Sequence, residues 1–204
     1  MAEEHAQAGS LTDRKRRRAK EAIRKAALEL FSERGFDAVS VSDIAERAEV
    51  GRTSFFRYFG DKQEVLFSEP DDEGADAWQA PPVPTQRIGS SMTAALAAAS
   101  RLVVSYVEVI TADPAAYQRH EQLVASHPEL YARSLVKHRR YADALAGRLQ
   151  GWGATAPTAR LAAEMGLACF YAGRATAQND PRILARHVER AFDQLSSSLP
   201  GGDS

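Results

Sequence analysis

The sequence is poor in the features that mark secreted scaffolds, membrane spans and catalytic sites. It carries one cysteine, Cys169, in 204 residues, which removes a disulfide framework and any multi-thiolate zinc site and fits a reducing compartment. Its longest apolar tracts, Met92 to Ala99 and Leu102 to Ile110, are separated by Arg101, and the second contains Glu108. Neither reaches the roughly 20 apolar residues of a membrane span. The opening MAEEHAQAGS has no apolar stretch of the kind a secretory signal needs. His120 and Glu121 begin an HE pair, but Val124 stands where a zinc-binding HExxH needs its second histidine. The phosphate-cradling patterns GxGxxG and GxxxxGK are missing, as is the nucleophile pattern GxSxG. Cys169, in an alanine-rich segment, reads as a small core residue. The expectation is a cytoplasmic protein that is not an enzyme, with no membrane, metal or cofactor partner.

Net charge is also scarce: 26 Lys and Arg against 27 Asp and Glu leave −1. Taken alone, that argues against a polyanionic partner. The distribution says otherwise. Thr12 to Lys25 holds eight basic residues against two acidic ones, a local balance of +6 that includes Arg17 and Arg18. Glu69, Asp71, Asp72, Glu73 and Asp76 form an acidic stretch, which runs into Pro81, Pro82 and Pro84. Prolines after such a stretch do not continue a helix, so Pro70 to Pro84 reads as a loop and domain boundary. A basic run by itself is most simply a solvated helix face, and its neighbours must decide.

Alanine occurs 37 times, strand-like alternation is nearly absent, and glycine and proline fall mainly between long periodic segments. The chain therefore reads as all-α, with about nine helices. The first is expected over about Asp13 to Arg34, with Ile23, Ala26, Ala27, Leu30 and Phe31 on one face. Gly35 ends it, and Phe36 packs back on its last turn. Ser40 and Asp43 form a capping pair for a short second helix, Arg52 to Tyr58 is the third, and Asp61 with Glu64 starts the fourth. Longer helices follow at about Thr85 to Thr111, Pro114 to Ser126, Pro128 to Gln150, Thr158 to Gln178 and Pro181 to Ser197. Prolines at first-turn positions cost no helical hydrogen bond.

The second and third helices, joined by a tight turn over an apolar scaffold of Val41, Ile44, Ala45, Val50, Phe55 and Phe59, make a helix-turn-helix. Its buried positions hold the third helix and leave the other face free for a DNA major groove. That face carries Arg52, Thr53, Ser54, Arg57 and Tyr58, each able to bond a base edge or phosphate. The basic run at the start of the first helix is placed to lie along the adjoining backbone.

The segment VSVSDIAERAEVGRTSFFRYFGDKQEVL, Val39 to Leu66, resembles the DNA-binding signature of the TetR family of bacterial transcriptional regulators. The likeness runs from Leu30-Phe31 and Gly35-Phe36 through Ile44-Ala45, Val50 and Phe59 to Lys62. It implies an amino-terminal DNA-binding domain over 1–60 and a helical ligand-binding and dimerisation domain over 61–204. It also implies a homodimeric repressor that binds a palindromic double-stranded operator and is released by a small-molecule effector. A ligand-independent repressor or an architectural DNA-binding protein is the alternative. By position, Ser40 is a helix cap near phosphate; Arg52, Thr53 and Ser54 are base or backbone contacts, Arg52 foremost; Arg57, Tyr58 and Lys62 are mainly phosphate contacts. Three residues depart from the family pattern. Glu49 replaces a turn glycine, which predicts an altered turn without free access to positive φ. Phe56 replaces a tyrosine and lacks its phenol. Gly51 replaces a capping serine or threonine.

In the second half, Trp78, Met92, Tyr106, Tyr117, Trp152, Met165, Phe170 and Tyr171 are candidates for an apolar ligand pocket, and each is equally a plausible core residue. Arg101, Glu108, His120 and Glu121 are polar residues that could orient a ligand there. Small residues along the eighth helix, including Gly166, Cys169 and Gly173, allow close helix approach. With His187, Val188 and Phe192 of the last helix they are candidates for a four-helix dimer interface, an intrachain bundle being the alternative.

Overall fold

The computed structural model describes the backbone of residues 2–67 and 87–198 and, from residue 14 onward, their side chains. The chain divides into two compact units, Met1–Asp72 and Glu73–Ser204.

The first unit holds α1 (Ala2–Arg34), α2 (Val41–Arg47), α3 (Arg52–Tyr58) and α4 (Lys62–Phe67). α1 starts well before Asp13, because the preceding alanine, glutamate and glutamine residues are good helix formers with no proline to stop propagation. It ends where expected: Gly35, at φ 80°, donates its N–H to the Phe31 carbonyl at 3.0 Å, and the Phe36 ring lies 5.0 Å from that of Phe31. The core joins Ile23, Ala27, Leu30 and Phe31 of α1 to Ile44 of α2, Phe55 and Phe59 of and beside α3, and Val65 of α4, all nearly inaccessible to solvent. Each such large side chain contributes about 1.5–3 kcal/mol by leaving water. Because α4 packs on α1, it goes with the first unit, and a division at residue 60 would part it from its packing partner.

The second unit contains α5 (Met92–Ile110), α6 (Pro114–Ser126), α7 (Pro128–Gly151), α8 (Ala156–Thr176) and α9 (Leu184–Ser198). Among the described residues there is no strand, only one parallel bridge between Gly89 and Ala154. That bridge explains why α5 starts at Met92. Ile88 and Gly89 donate N–H groups to the Trp152 and Gly153 carbonyls at 3.3 and 3.1 Å, and Thr155 donates to the Gly89 carbonyl at 2.9 Å. These bonds draw the backbone out of helical pairing until Ser91 caps the helix through the Ala94 N–H at 3.2 Å. α6 and α7 open on first-turn prolines as expected. Pro181 instead lies within a turn, in which the Asp180 carboxylate accepts the Arg182 N–H at 3.0 Å, and α9 begins only at Leu184.

Taken whole, α5 is long and apolar enough to cross a membrane. Its buried Ala95, Leu96, Ala99, Leu102, Val103 and Tyr106 belong to the core of the second unit, where α5 packs on α8 and α9. α8 is the centre of this bundle, in contact with α5, α7 and α9. The glycines of α8 are spent there. A Cβ at Gly173 would lie 2.7 Å from the Val188 backbone and 2.6 Å from its side chain, and one at Gly166 would meet Leu145 at 3.3 Å and Phe192 at 3.6 Å. Gly166, Cys169, Gly173, Val188 and Phe192 are buried within the chain, and His187 bonds the Thr176 hydroxyl at 3.0 Å. These six residues therefore hold α8 and α9 against each other and their own neighbours, and leave little surface for a second copy. Small residues permit close packing, and here the partner is the same chain.

Candidate nucleic-acid interface

The α2–turn–α3 unit is fixed by bonds that the local sequence specifies. At the start of α2 the Asp43 N–H reaches the Ser40 hydroxyl at 3.2 Å, and the Asp43 carboxylate accepts the Ser40 N–H at 2.8 Å. The Ser40 hydroxyl also donates to that carboxylate. These bonds, the largest influence, together with the nearby Arg34 guanidinium hold the Asp43 carboxyl below its ordinary range. At the other end Glu49 adopts φ 54°. The Val50 N–H donates to the Ala45 carbonyl at 2.9 Å, and the Glu49 N–H donates to the Glu46 carbonyl at 3.0 Å. That pair of bonds is a Schellman closure with a non-glycine residue in the left-handed position. The turn thus keeps a glycine-like shape despite the glutamate, contrary to the altered turn expected from the sequence. Its two bonds recover carbonyls that α2 would otherwise leave open, which offsets a left-handed cost of about 1–2 kcal/mol.

α3 is capped by Gly51 without a side-chain bond, as its lack of a hydroxyl dictates. Phe55 and Phe59 turn inward with ring centroids 5.7 Å apart. Arg52, Thr53, Phe56 and Arg57 are exposed, with Ser54 and Tyr58 half-buried. This seven-residue helix is about 10 Å long at 1.5 Å per residue, a rod that a major groove about 12 Å wide admits. Among the described residues Arg57 is held in no surface ion pair: its Nη2 donates to the Tyr58 hydroxyl at 2.9 Å, and its guanidinium lies 4.9 Å from that ring's centroid. The pair forms one preformed donor surface. Phe56, half exposed, offers an apolar edge of the kind that meets a thymine methyl. Arg17 and Arg18 are exposed on α1.

Lys62 has a different task from the phosphate contact expected of it. Its ammonium donates to the Phe36 and Val39 carbonyls at 2.8 and 3.0 Å and lies 4.4 Å from the centre of the Phe36 ring. It closes the α1–α2 connection from α4. Sequence reasoning also missed the bidentate clamp of Arg47 on Glu33, at 3.1 and 2.9 Å, which sets α2 against α1. The hydrogen bond from Arg47 holds the Glu33 carboxyl below its ordinary range. Fourteen residues separate the partners, so no helical spacing announces the pair.

Of the pocket candidates, Trp78 lies outside the described residues. Tyr106, Tyr117, Trp152 and Phe170 are buried, and Met92 and Met165 are half-buried against the same core. Tyr106 and Phe170 come together, with ring centroids 6.4 Å apart, and the Tyr106 hydroxyl donates to that of Tyr141 at 3.0 Å. Trp152 instead caps the end of α7. Tyr171 is half-buried, Arg101 and Glu108 are exposed, and His120 and Glu121 are half-buried.

An all-helical chain whose amino-terminal unit carries a capped helix-turn-helix beneath a long first helix defines a helix-turn-helix regulator fold. The model of the bacterial regulatory proteins of the tetR family matches residues 23–68, the span from Ile23 of α1 through α4. The chain is 32% identical over 145 residues to the HTH-type transcriptional regulator TcmR of Streptomyces glaucescens, covering 68% of this chain and 60% of TcmR. It is 44% identical over 45 residues to the uncharacterized HTH-type transcriptional regulator YdeS of Bacillus subtilis (strain 168), covering 22% of this chain and 23% of that protein. The aligned region thus spans less than two thirds of either relative. Among solved structures, the SmeT–triclosan complex superimposes with a TM-score of 0.55 at 20% identity, over 90% of this chain and 93% of that one, a likeness of fold. Over residues 23–68 the chain thus carries the amino-terminal domain of the tetR family, and over 145 residues it is similar to a curated HTH-type transcriptional regulator.

Proposed function

We propose that this chain is a sequence-specific DNA-binding transcriptional regulator, acting in the cytoplasm as a homodimeric repressor that a small molecule releases from a palindromic operator. The observation that carries the DNA-binding part is α3: Phe55 and Phe59 anchor it from below, while Arg52, Thr53 and the coupled Arg57–Tyr58 pair face outward. Arg52 at its start is the base reader, since an arginine there can bond a guanine bidentately for about 1–3 kcal/mol of discrimination. Ser54 and Tyr58 position the helix through phosphate, and Arg17 and Arg18 add backbone contacts from α1.

Dimerisation is supported by the face of α8 that its own bundle leaves uncovered. Leu161 is 52% exposed, and Ala168, Ala172 and Ala175 are exposed on the same helix. Their small side chains let a second helix approach closely, and a two-fold axis would make that face self-complementary. Release by an effector is supported by the aromatic interior of the second unit and by the likeness of fold to a protein seen with triclosan. The domain plan that follows is DNA recognition by the first unit and effector binding with dimerisation by the second.

Sequencing of genomic fragments retained by the purified protein tests the reading. The expected result is a short inverted repeat. The Arg52→Ala, Arg57→Ala double variant is expected to lose specific binding while its helicity and sedimentation stay those of the parent. Retention of specific binding by that variant at physiological salt would remove α3 from the interface.

A further inference from the structure

Among the described residues the first unit exposes one large apolar side chain, Phe56, which is 50% exposed. The core beneath α3 does not need it. Phe55 and Phe59, both nearly inaccessible to solvent, already close that core. Phe56 rests on Phe55 in an edge-to-face contact, the ring centroids 5.6 Å apart and the planes at 84°. The contact orients the Phe56 ring and leaves half of it outside, so little side-chain freedom remains to be lost when that half is covered. The other exposed residues of α3 are Arg52, Thr53 and Arg57, all hydrogen-bond donors. A phenylalanine among them has no donor for a phosphate and no polar atom for a base edge, while its exposed apolar surface gains free energy only by leaving water.

The base edges of a major groove offer one apolar group, the C5-methyl of thymine. Cytosine offers a methyl at the same carbon once it is methylated. Phe56 follows Arg52 by four positions in α3, so the two lie on one flank of the helix, one turn and about 6 Å apart along its axis. Successive bases rise by about 3.4 Å, and a methyl beneath Phe56 therefore falls within about two base pairs of a guanine held by Arg52. We propose that Phe56 is a specificity residue that selects a pyrimidine carrying a 5-methyl group, thymine or 5-methylcytosine, beside the bases read by Arg52. The inference rests on the reading of α3 as the recognition helix. It has a regulatory consequence: an operator with cytosine at that position is bound more tightly once the cytosine is methylated.

The test uses the full chain and a synthetic duplex of the inverted repeat recovered from retained genomic fragments. Each thymine of one half-site is replaced singly by deoxyuridine, which differs from it only by the methyl group. One such replacement is expected to weaken binding about fourfold, the worth of one buried methyl. At that same position 5-methylcytosine is expected to bind about fourfold more tightly than cytosine. Phe56→Ala is expected to erase both differences while its helicity and sedimentation stay those of the parent. Equal binding of thymine and uridine duplexes at every position, equal binding of cytosine and 5-methylcytosine at the sensitive one, or a methyl preference that survives in Phe56→Ala would each overturn the proposal. The double variant Arg52→Ala, Arg57→Ala separates the two readings. Loss of specific binding in that variant, with no uridine-sensitive thymine in the parent, upholds α3 as the recognition helix and overturns this inference alone. Specific binding retained by that variant, or no inverted repeat recovered at all, overturns both.

Discussion

Glu49 offers the sharpest test of the local physics. It holds φ 54° at the C′ position of α2, where an L side chain costs about 1–2 kcal/mol relative to a right-handed conformation and glycine costs almost nothing. Glu49→Gly removes that strain but gives back roughly 0.4–1 kcal/mol through the greater freedom of the unfolded chain. The net expectation is a gain of about 0.5–1 kcal/mol, or about 4 °C for a unit of this size. Glu49→Ala is the control: it keeps the β-carbon and hence the strain, and it removes the same negative charge. Thermal unfolding followed by circular dichroism gives the whole-chain effect, and hydrogen exchange of the α2 and α3 amides assigns it to the first unit. The alanine variant is expected to match the parent within about 0.5 kcal/mol, because it keeps the β-carbon and loses only the exposed remainder of the side chain. Equal stability of the glycine and alanine variants would refute the assignment of strain to this residue. A change in DNA affinity shared by both variants would report the missing charge on a surface facing phosphate, separately from the turn.

Further expectations concern the two units separately. Gly173→Ala places a methyl group against the Val188 backbone and is expected to destabilise by about 1–3 kcal/mol, seen as a lower urea midpoint; an unchanged midpoint would show that α9 yields freely. Because the Asp43 carboxyl is held low by Ser40, its contribution to stability is present above the unfolded value of about 3.9 and is lost as pH falls through the lower folded value. The melting-temperature difference between the parent and Asp43→Asn is therefore expected to shrink below about pH 4, and a constant difference down to about pH 2 would exclude the capping carboxylate as its source. Deleting the first 18 residues, which removes Arg14, Lys15, Arg16, Arg17 and Arg18, is expected to flatten the plot of log DNA affinity against log salt by about 0.9 for each phosphate no longer neutralised. An unchanged slope would leave the basic run as a solvated helix face.

The parts of the site visible in the sequence are those set by neighbours a few residues apart. The Ser40–Asp43 box, the Gly35 stop and the inward Phe55 and Phe59 follow from spacing along one or two helical turns, where residue type and period dictate the bond or the face. What was not visible depends on partners far along the chain. Lys62 has the look of a phosphate ligand because it is basic and follows α3, and only the return of α4 to the α1–α2 connection puts its ammonium on the Phe36 and Val39 carbonyls. Arg47 resembles any surface cation until α1 brings Glu33 to it. The altered turn expected at Glu49 failed for a related reason. Propensity disfavours positive φ for glutamate, but two backbone bonds that propensity does not count hold it there.

The sequence by itself determined the helical class, the position of the helix-turn-helix and the segregation of basic residues to the first helix, since each depends on period, capping and charge over short distances. Tertiary structure decided which face each helix spends on its own chain. The small residues of α8 specify that some helix comes close. They contain no record of which one, and only the folded bundle shows that Gly166 and Gly173 receive α7 and α9 of the same chain, leaving Leu161 and the outer alanines as the surface still open to a partner.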